Sequence, residues 1–172
     1  KEAQQRILGL VDQGVAEGAN LKVDGRNFKM QGYENGFFVG ACLFDDVTSD
    51  MEIYKQEIFG PVLSTVRAQS YEEALSLAMD HEYGNGTAIF TRDGDTARDF
   101  ANRINIGMVG INVPIPVPLA YHTFGGWKKS AFGDLNQHGP DAFKFYTRTK
   151  TVTSRWPSGI KEGGEFSIPI ME

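Results

Sequence analysis

Along residues 1–18, Ile7, Leu8, Leu10, Val11 and Val15 recur at helical spacing on one face, and Gly18 stands where such a helix would stop, which predicts an amphipathic helix. The pattern then shortens. Apolar pieces at 21–23, 28–30, 37–39 and 43–44 are separated by Asp24-Gly25, Gln31-Gly32 and Asn35-Gly36, so short strands joined by turns are expected. Residues 62–68 read as a further strand. Residues 71–81 read as a helix, with Ser70 and Glu73 at the spacing of a capping box. A strand at 88–91, a helix from 93 or 94 to 102, a strand at 108–112, a short helix at 140–145 and an alternating, strand-like segment at 145–154 complete the pattern.

Strands alternating with helices imply a parallel sheet covered by helices on its faces. Ligands of such sheets bind beyond the carboxyl ends of strands. Asn112 ends one of these strands, so the loop at 113–123 is expected to face a cleft, with Asn112 either lining a pocket or closing a turn. No internal repeat or low-complexity block interrupts the chain.

Size and composition narrow the classes. With 172 residues, 41% hydrophobic and 23% charged, the chain can bury one ordinary core. A net charge of −5 with scattered acidic residues leaves no electrostatic footprint for nucleic acid or an anionic membrane. No apolar run approaches the roughly 18 to 20 residues of a membrane helix, and the N-terminus lacks the apolar core of a signal peptide. One cysteine, Cys42, excludes an internal disulfide.

Chemistry concentrates in two motifs. The first is Gln56-Glu57-Ile58-Phe59-Gly60-Pro61. A carboxylate such as Glu57 can accept hydrogen bonds from two neighbouring hydroxyls, Phe59 offers a flat apolar face, Gly60 lets the backbone come close, and Pro61 fixes its direction on leaving. Taken alone, the same residues describe a surface carboxylate, a core aromatic and a Gly-Pro turn. The second is Phe124-Gly125-Gly126-Trp127-Lys128-Lys129-Ser130, followed by Gly133, Gly139 and the basic-hydroxyl run from Tyr146 to Val152, with Gly107, Gly110 and Asn112 between the motifs.

These motifs, in this order, resemble the Glu-x-Phe-Gly-Pro, G-x-x-G-x-N and F-G-G-x-K-x-S segments of the NAD(P)-dependent aldehyde dehydrogenases. The resemblance covers nearly the whole chain. The proline-rich stretch Asn112-Val113-Pro114-Ile115-Pro116-Val117-Pro118, with Tyr83-Gly84-Asn85-Gly86-Thr87-Ala88 upstream, is most similar to the methylmalonate-semialdehyde dehydrogenases, the CoA-acylating branch. It implies a three-layer α/β catalytic domain built on a parallel sheet. Residues 1–144 would be part of that domain, and residues 145–172 an oligomerisation strand and tail. The glycine-rich stretch 158–165 is expected to be mobile until a core or another subunit packs it.

The same resemblance implies NAD as cofactor, coenzyme A as co-substrate and a semialdehyde as substrate, with oxidation to propionyl-CoA or acetyl-CoA through a thioester on a cysteine. Glu57 would bind the nicotinamide ribose and Phe59 pack beside the nicotinamide. Asn112 and Phe124 would line the substrate pocket. It further implies a homo-oligomer formed through residues 145–154, and a cytoplasmic location, or the mitochondrial matrix in a eukaryote. Family members are considerably longer, so this sequence is expected to be a C-terminal portion that is inactive alone.

Cys42 lies outside the family's nucleophile motif and reads as a buried structural residue. His81, His122 and His138 are too far apart to suggest a metal site, and packing or surface roles are expected, His122 lying nearest the cleft. Lys128, Lys129 and Arg148 are expected to face solvent or a partner subunit rather than a phosphate. A self-associating structural module without activity and a non-acylating member of the family are the competing readings.

Overall fold

The computed structural model describes residues 1–154 and 156. Helix α1, Glu2–Ala16, buries Ile7, Leu10, Val11 and Gly14, the i, i+3, i+4, i+7 stripe of a helix docked on a core. Val15 turns outward instead of joining that stripe. Gly18 ends the helix as expected. At φ +97° its N–H bonds Val15 O while the Ala19 N–H reaches back to Gly14 O, a Schellman closure.

Strand β1, Asn20–Val23, pairs antiparallel with β2, Cys42–Asp45, and β2 pairs parallel with β3, Val62–Ser64. The short helix α2, Glu52–Lys55, crosses between β2 and β3. Phe44, wholly buried, is the centre of this half, packed among Leu10, Val11, Cys42, Val47, Met51, Ile53 and Ile58.

The strands expected at 28–30 and 37–39 are absent from the structure. Gly40 N–H and Phe28 N–H both bond Gly25 O, and turns close at Met30–Tyr33 and Tyr33–Gly36, so the segment is a pinched loop. Phe28 and Phe37 are exposed, which removes the buried face that would have held a strand in register. The strand expected over 62–68 stops at Ser64, because Thr65 bonds both Phe44 O and Val47 N–H across an irregular corner and Arg67 turns to Asp45.

The second half carries helix α3, Tyr71–Asp80, and helix α4, Gly94–Arg103. Side chains cap both helices: Ser70 Oγ accepts the Glu73 N–H at 3.2 Å, as its spacing predicts, and Asp93 accepts from Asp95 and Thr96. Strand β5, Gly86–Ile89, and β6, Met108–Ile111, pair parallel across α4, the expected βαβ unit. Leu75, Phe100, Ile104 and Ile106 form its core. Arg103 bridges the helices with a two-pronged contact to Glu72, and adds Asp99, which also takes the Tyr71 hydroxyl.

Two more short strands, β4 at Tyr83–Gly84 and β7 at Trp127–Lys128, pair antiparallel, and α5, Asp141–Tyr146, follows. The described residues therefore form three small sheets, two with a parallel pair, rather than the single parallel sheet expected. Residues 147–154 carry no strand, since a ladder needs a partner and none adjoins them among the described residues. The tail at 158–165 lies outside the described residues.

Candidate functional site

The segment leaving α2 is anchored on both sides of Glu57 and Phe59. Gln56 N–H bonds Glu52 O at 2.9 Å and its amide bonds the Glu52 carboxylate at 2.7 Å. Ile58 is buried in the first core, which throws its neighbours Glu57 and Phe59 outward. Pro61 O receives the Cys42 N–H at 2.8 Å and starts the β2–β3 pairing. A Cβ on Gly60 would stand 2.7 Å from Ile7 Cδ1, so the close approach expected at this glycine is to α1.

Phe59 is not a core residue. Its ring is 82% exposed and its backbone sits at φ +51°, a left-handed conformation that a bulky residue adopts only when its surroundings impose it. Such a placement holds an aromatic face outward at a local cost of about 1–2 kcal/mol. Among the described residues no side-chain donor meets the exposed Glu57 carboxylate, leaving its oxygens open to a ligand.

The two sequence motifs meet here. Glu57 and Gln56 share a cleft of about 370 Å³ with His81, Tyr83, Asn85, Lys129 and Ser130. The second motif reaches this cleft by clamping the corner between α3 and β4. Lys128 Nζ donates to Met79 O at 2.6 Å and His81 O at 3.0 Å, supplying the cation that the last turn of α3 lacks. Lys129 pairs with Glu82 at 2.5 Å, and that hydrogen bond raises the affinity of its amine for a proton. Ser130 Oγ accepts the Gly84 N–H at 3.0 Å. Lys128 and Lys129 thus serve the corner of the fold, a role beyond the solvent or partner contacts expected of them.

The cleft continues beside α2 into a larger one of about 850 Å³, whose lining includes Arg6, Tyr54, Lys55, Glu57, Asp80 and His81. Tyr54 bonds Leu77 O through its hydroxyl at 2.9 Å; burial, with Asp80 adding, pushes its pKa up, so it stays a donor.

The remaining residues singled out in the sequence lie elsewhere. Asn112, at φ +58°, joins Thr91 through both amide atoms, its Oδ1 taking the Thr91 N–H at 2.9 Å and its Nδ2 donating to Thr91 O at 3.0 Å. That contact closes the end of the β5–β6 pair. Phe124 stacks on His138 with centroids 4.6 Å apart, and lines a separate cleft of about 430 Å³ that also touches Asn85 and Ser130. His122 lies against Tyr121. Cys42 is 3% exposed and its sulfur accepts the Gly25 N–H, a structural setting. Tyr54 and the capping role of Lys128 are not read from the sequence, and His81 is read there only as a packing or surface residue; the absence of a cation in the last turn of 71–80 is the one signal for the Lys128 role.

The aldehyde dehydrogenase family model matches residues 1–152. The chain belongs to the aldehyde dehydrogenase family. Among relatives of this aldehyde dehydrogenase chain, a malonate-semialdehyde dehydrogenase of Pseudomonas aeruginosa is 60% identical over 98% of it, and malonate-semialdehyde dehydrogenase 1 of Oceanobacillus iheyensis is 47% identical over 89%. The chain spans 34% and 31% of those two proteins, about a third of their length. A solved Sinorhizobium meliloti protein, assigned as a methylmalonate-semialdehyde dehydrogenase and complexed with NAD, is 78% identical with a TM-score of 0.86, over 93% of this chain and 33% of that one. The methylmalonate-semialdehyde dehydrogenase of Oceanimonas doudoroffii is 56% identical with a TM-score of 0.85, over 92% and 32%.

Proposed function

We propose that this chain is the C-terminal portion of an NAD-dependent, CoA-acylating malonate- or methylmalonate-semialdehyde dehydrogenase, and that it supplies the nicotinamide-ribose wall of the cofactor site. The convergence of Glu57 and the Lys129-Ser130 end of the second motif on one cleft carries this reading. NAD, when bound, accepts the hydride removed from the aldehyde. The residues fit that group: the open Glu57 carboxylate suits a ribose diol, and the Phe59 ring, held outward, suits a flat pyridine ring. Glu57 orients the ribose, Phe59 limits the nicotinamide to one face, and Lys129 and Ser130, held through Glu82 and Gly84, line the same cleft as Glu57.

Cys42, the only cysteine, is enclosed by the core and is not the attacking thiol, so the chain alone has no nucleophile for thioester formation. Malonate semialdehyde, CoA and NAD would give acetyl-CoA, carbon dioxide and NADH; the methylated substrate would give propionyl-CoA. The names of the relatives support this substrate class. The exposed side chains Tyr146 and Val152 support assembly into a homo-oligomer through residues 145–154, and a cytoplasmic or mitochondrial-matrix setting goes with the reading.

The complete enzyme carrying this sequence, given either semialdehyde with NAD and CoA, is expected to form NADH and the matching acyl-CoA in equal amounts. Formation of free acid at a rate indifferent to CoA would place it outside the acylating branch. NADH production by the isolated 172 residues, abolished by Cys42→Ala, would overturn the missing nucleophile.

A further inference from the structure

The side chain of His81 crosses from the α3–β4 corner to the helix that precedes Glu57. Its Nδ1 accepts the Tyr83 N–H at 3.1 Å, which places the ring proton on Nε2, and Nε2 lies 3.0 Å from Tyr54 O. Tyr54 O belongs to the last turn of α2, where carbonyls lack partners within the helix. The ring is held edge-on by Tyr54, centroids 5.1 Å apart, and tilted against Tyr83 at 5.8 Å. The backbone of the same histidine is gripped from behind, His81 O receiving Lys128 Nζ. A continuous chain of contacts therefore runs from the second motif through Lys128 and His81 to Tyr54, three residues before Glu57. His81 and Glu57 border the same cleft.

We propose that His81 is a positioning residue for the Glu57 carboxylate: its Nε2–H straps the last turn of α2 to the α3–β4 corner and sets where the segment 56–59 leaves the helix. This rests on the ribose-binding reading of Glu57. The strap acts through one atom. A glutamine at 81 can place its Nε2 near that of the imidazole and donate to Tyr54 O. An asparagine can accept the Tyr83 N–H through Oδ1 but is too short to reach Tyr54. The two substitutions separate the strap from the local turn.

The test measures NAD dissociation constants by direct titration, without turnover, in the complete enzyme carrying His81→Asn, His81→Gln, Glu57→Gln, or His81→Asn with Glu57→Gln, alongside each unfolding midpoint. His81→Asn should weaken NAD about five- to tenfold, the loss of about one hydrogen bond. His81→Gln should stay within about twofold of the parent, with the unfolding midpoints of the two variants alike. In the Glu57→Gln background His81→Asn should add less than about twofold, because the strap acts through Glu57. Equal affinities for the Asn and Gln variants, or an unchanged constant for His81→Asn while Glu57→Gln weakens binding, overturn the strap and leave the ribose reading standing. An unchanged constant for Glu57→Gln overturns the ribose reading and the strap with it. Should His81→Asn fail to fold, His81→Gln decides: parental affinity supports the strap, and a fivefold loss overturns it.

Discussion

Replacing Phe59 distinguishes a ring held for a ligand from a ring that holds the core. With the side chain 82% exposed, only about a fifth of its burial is realised, worth about 0.3–0.6 kcal/mol of the roughly 1.5–3 kcal/mol that full burial would give. Its backbone at φ +51° opposes folding by about 1–2 kcal/mol, a cost glycine does not incur. Glycine loses about 0.5–1 kcal/mol to its greater freedom when unfolded. The balance for Phe59→Gly lies near zero, within about 1 kcal/mol either way, and Phe59→Ala, which keeps the strain, should be less stable than Phe59→Gly by about 0.5 kcal/mol. Phe44→Ala, at a wholly buried site, should lose about 3–5 kcal/mol. Urea unfolding followed by far-ultraviolet circular dichroism gives all three values. A loss above about 2 kcal/mol for Phe59→Gly would show that the ring supports the fold, and the reasoning from its exposure and backbone would fail.

Four further outcomes follow from the packing and the charges. Gly107→Ala should destabilise the chain strongly and loosen the second motif, since its Cβ would stand 2.1 Å from the backbone Gly125 O; a parental unfolding midpoint would contradict the contact. Cys42 should react with a thiol reagent only at the rate of opening of the first core, and prompt labelling in native buffer would refute its burial. Lys128→Met should expose α3 by removing the cation from its C-terminal carbonyls, read as faster amide exchange in residues 71–80 than in 94–103. Acid should weaken the fold through the lowered carboxylates: Asp24, brought to about 2 by its hydrogen bonds from Arg26; Asp45, by Arg67; Glu72, by Arg103; and Asp99, by Tyr71 and then Arg103. Folded values below the unfolded ones mean this stabilisation is complete above about pH 5 and is lost as pH falls from about 4 towards 2. A urea midpoint that holds steady from pH 7 to 5 and then drops is expected, while a midpoint rising on acidification would contradict the sign.

Elements that advertise themselves locally were legible in the sequence. Ser70 with Glu73, Gly18 and the βαβ unit around α4 all behave as their spacing predicts. The strands expected near Phe28 and Phe37 fail because aromatic residues carry strand propensity into a loop whose ends are pinned by Gly25 and Gly40, a long-range contact that no local window contains. The pairing of β4 with β7 joins positions more than forty residues apart and is equally invisible. At the site, the types of Glu57 and Phe59 were readable as a carboxylate and a ring. Their display was not, because it depends on buried Ile58 between them and on a positive φ at Phe59. The role of Lys128 is hidden from the sequence for a related reason: its partners, the carbonyls of Met79 and His81, are backbone atoms, and their exposure at a helix end follows from the fold rather than from residue type.

The central claim is that Glu57 and Phe59 form the nicotinamide-riboside wall of the cofactor site. A crystal structure of the complete enzyme with NAD tests it most directly. The account predicts a Glu57 carboxylate within hydrogen-bond distance of the ribose hydroxyls next to the nicotinamide, and the Phe59 ring against the pyridine with its φ still positive. A nicotinamide riboside bound out of reach of Glu57, or a Phe59 ring folded back onto α1, would contradict it.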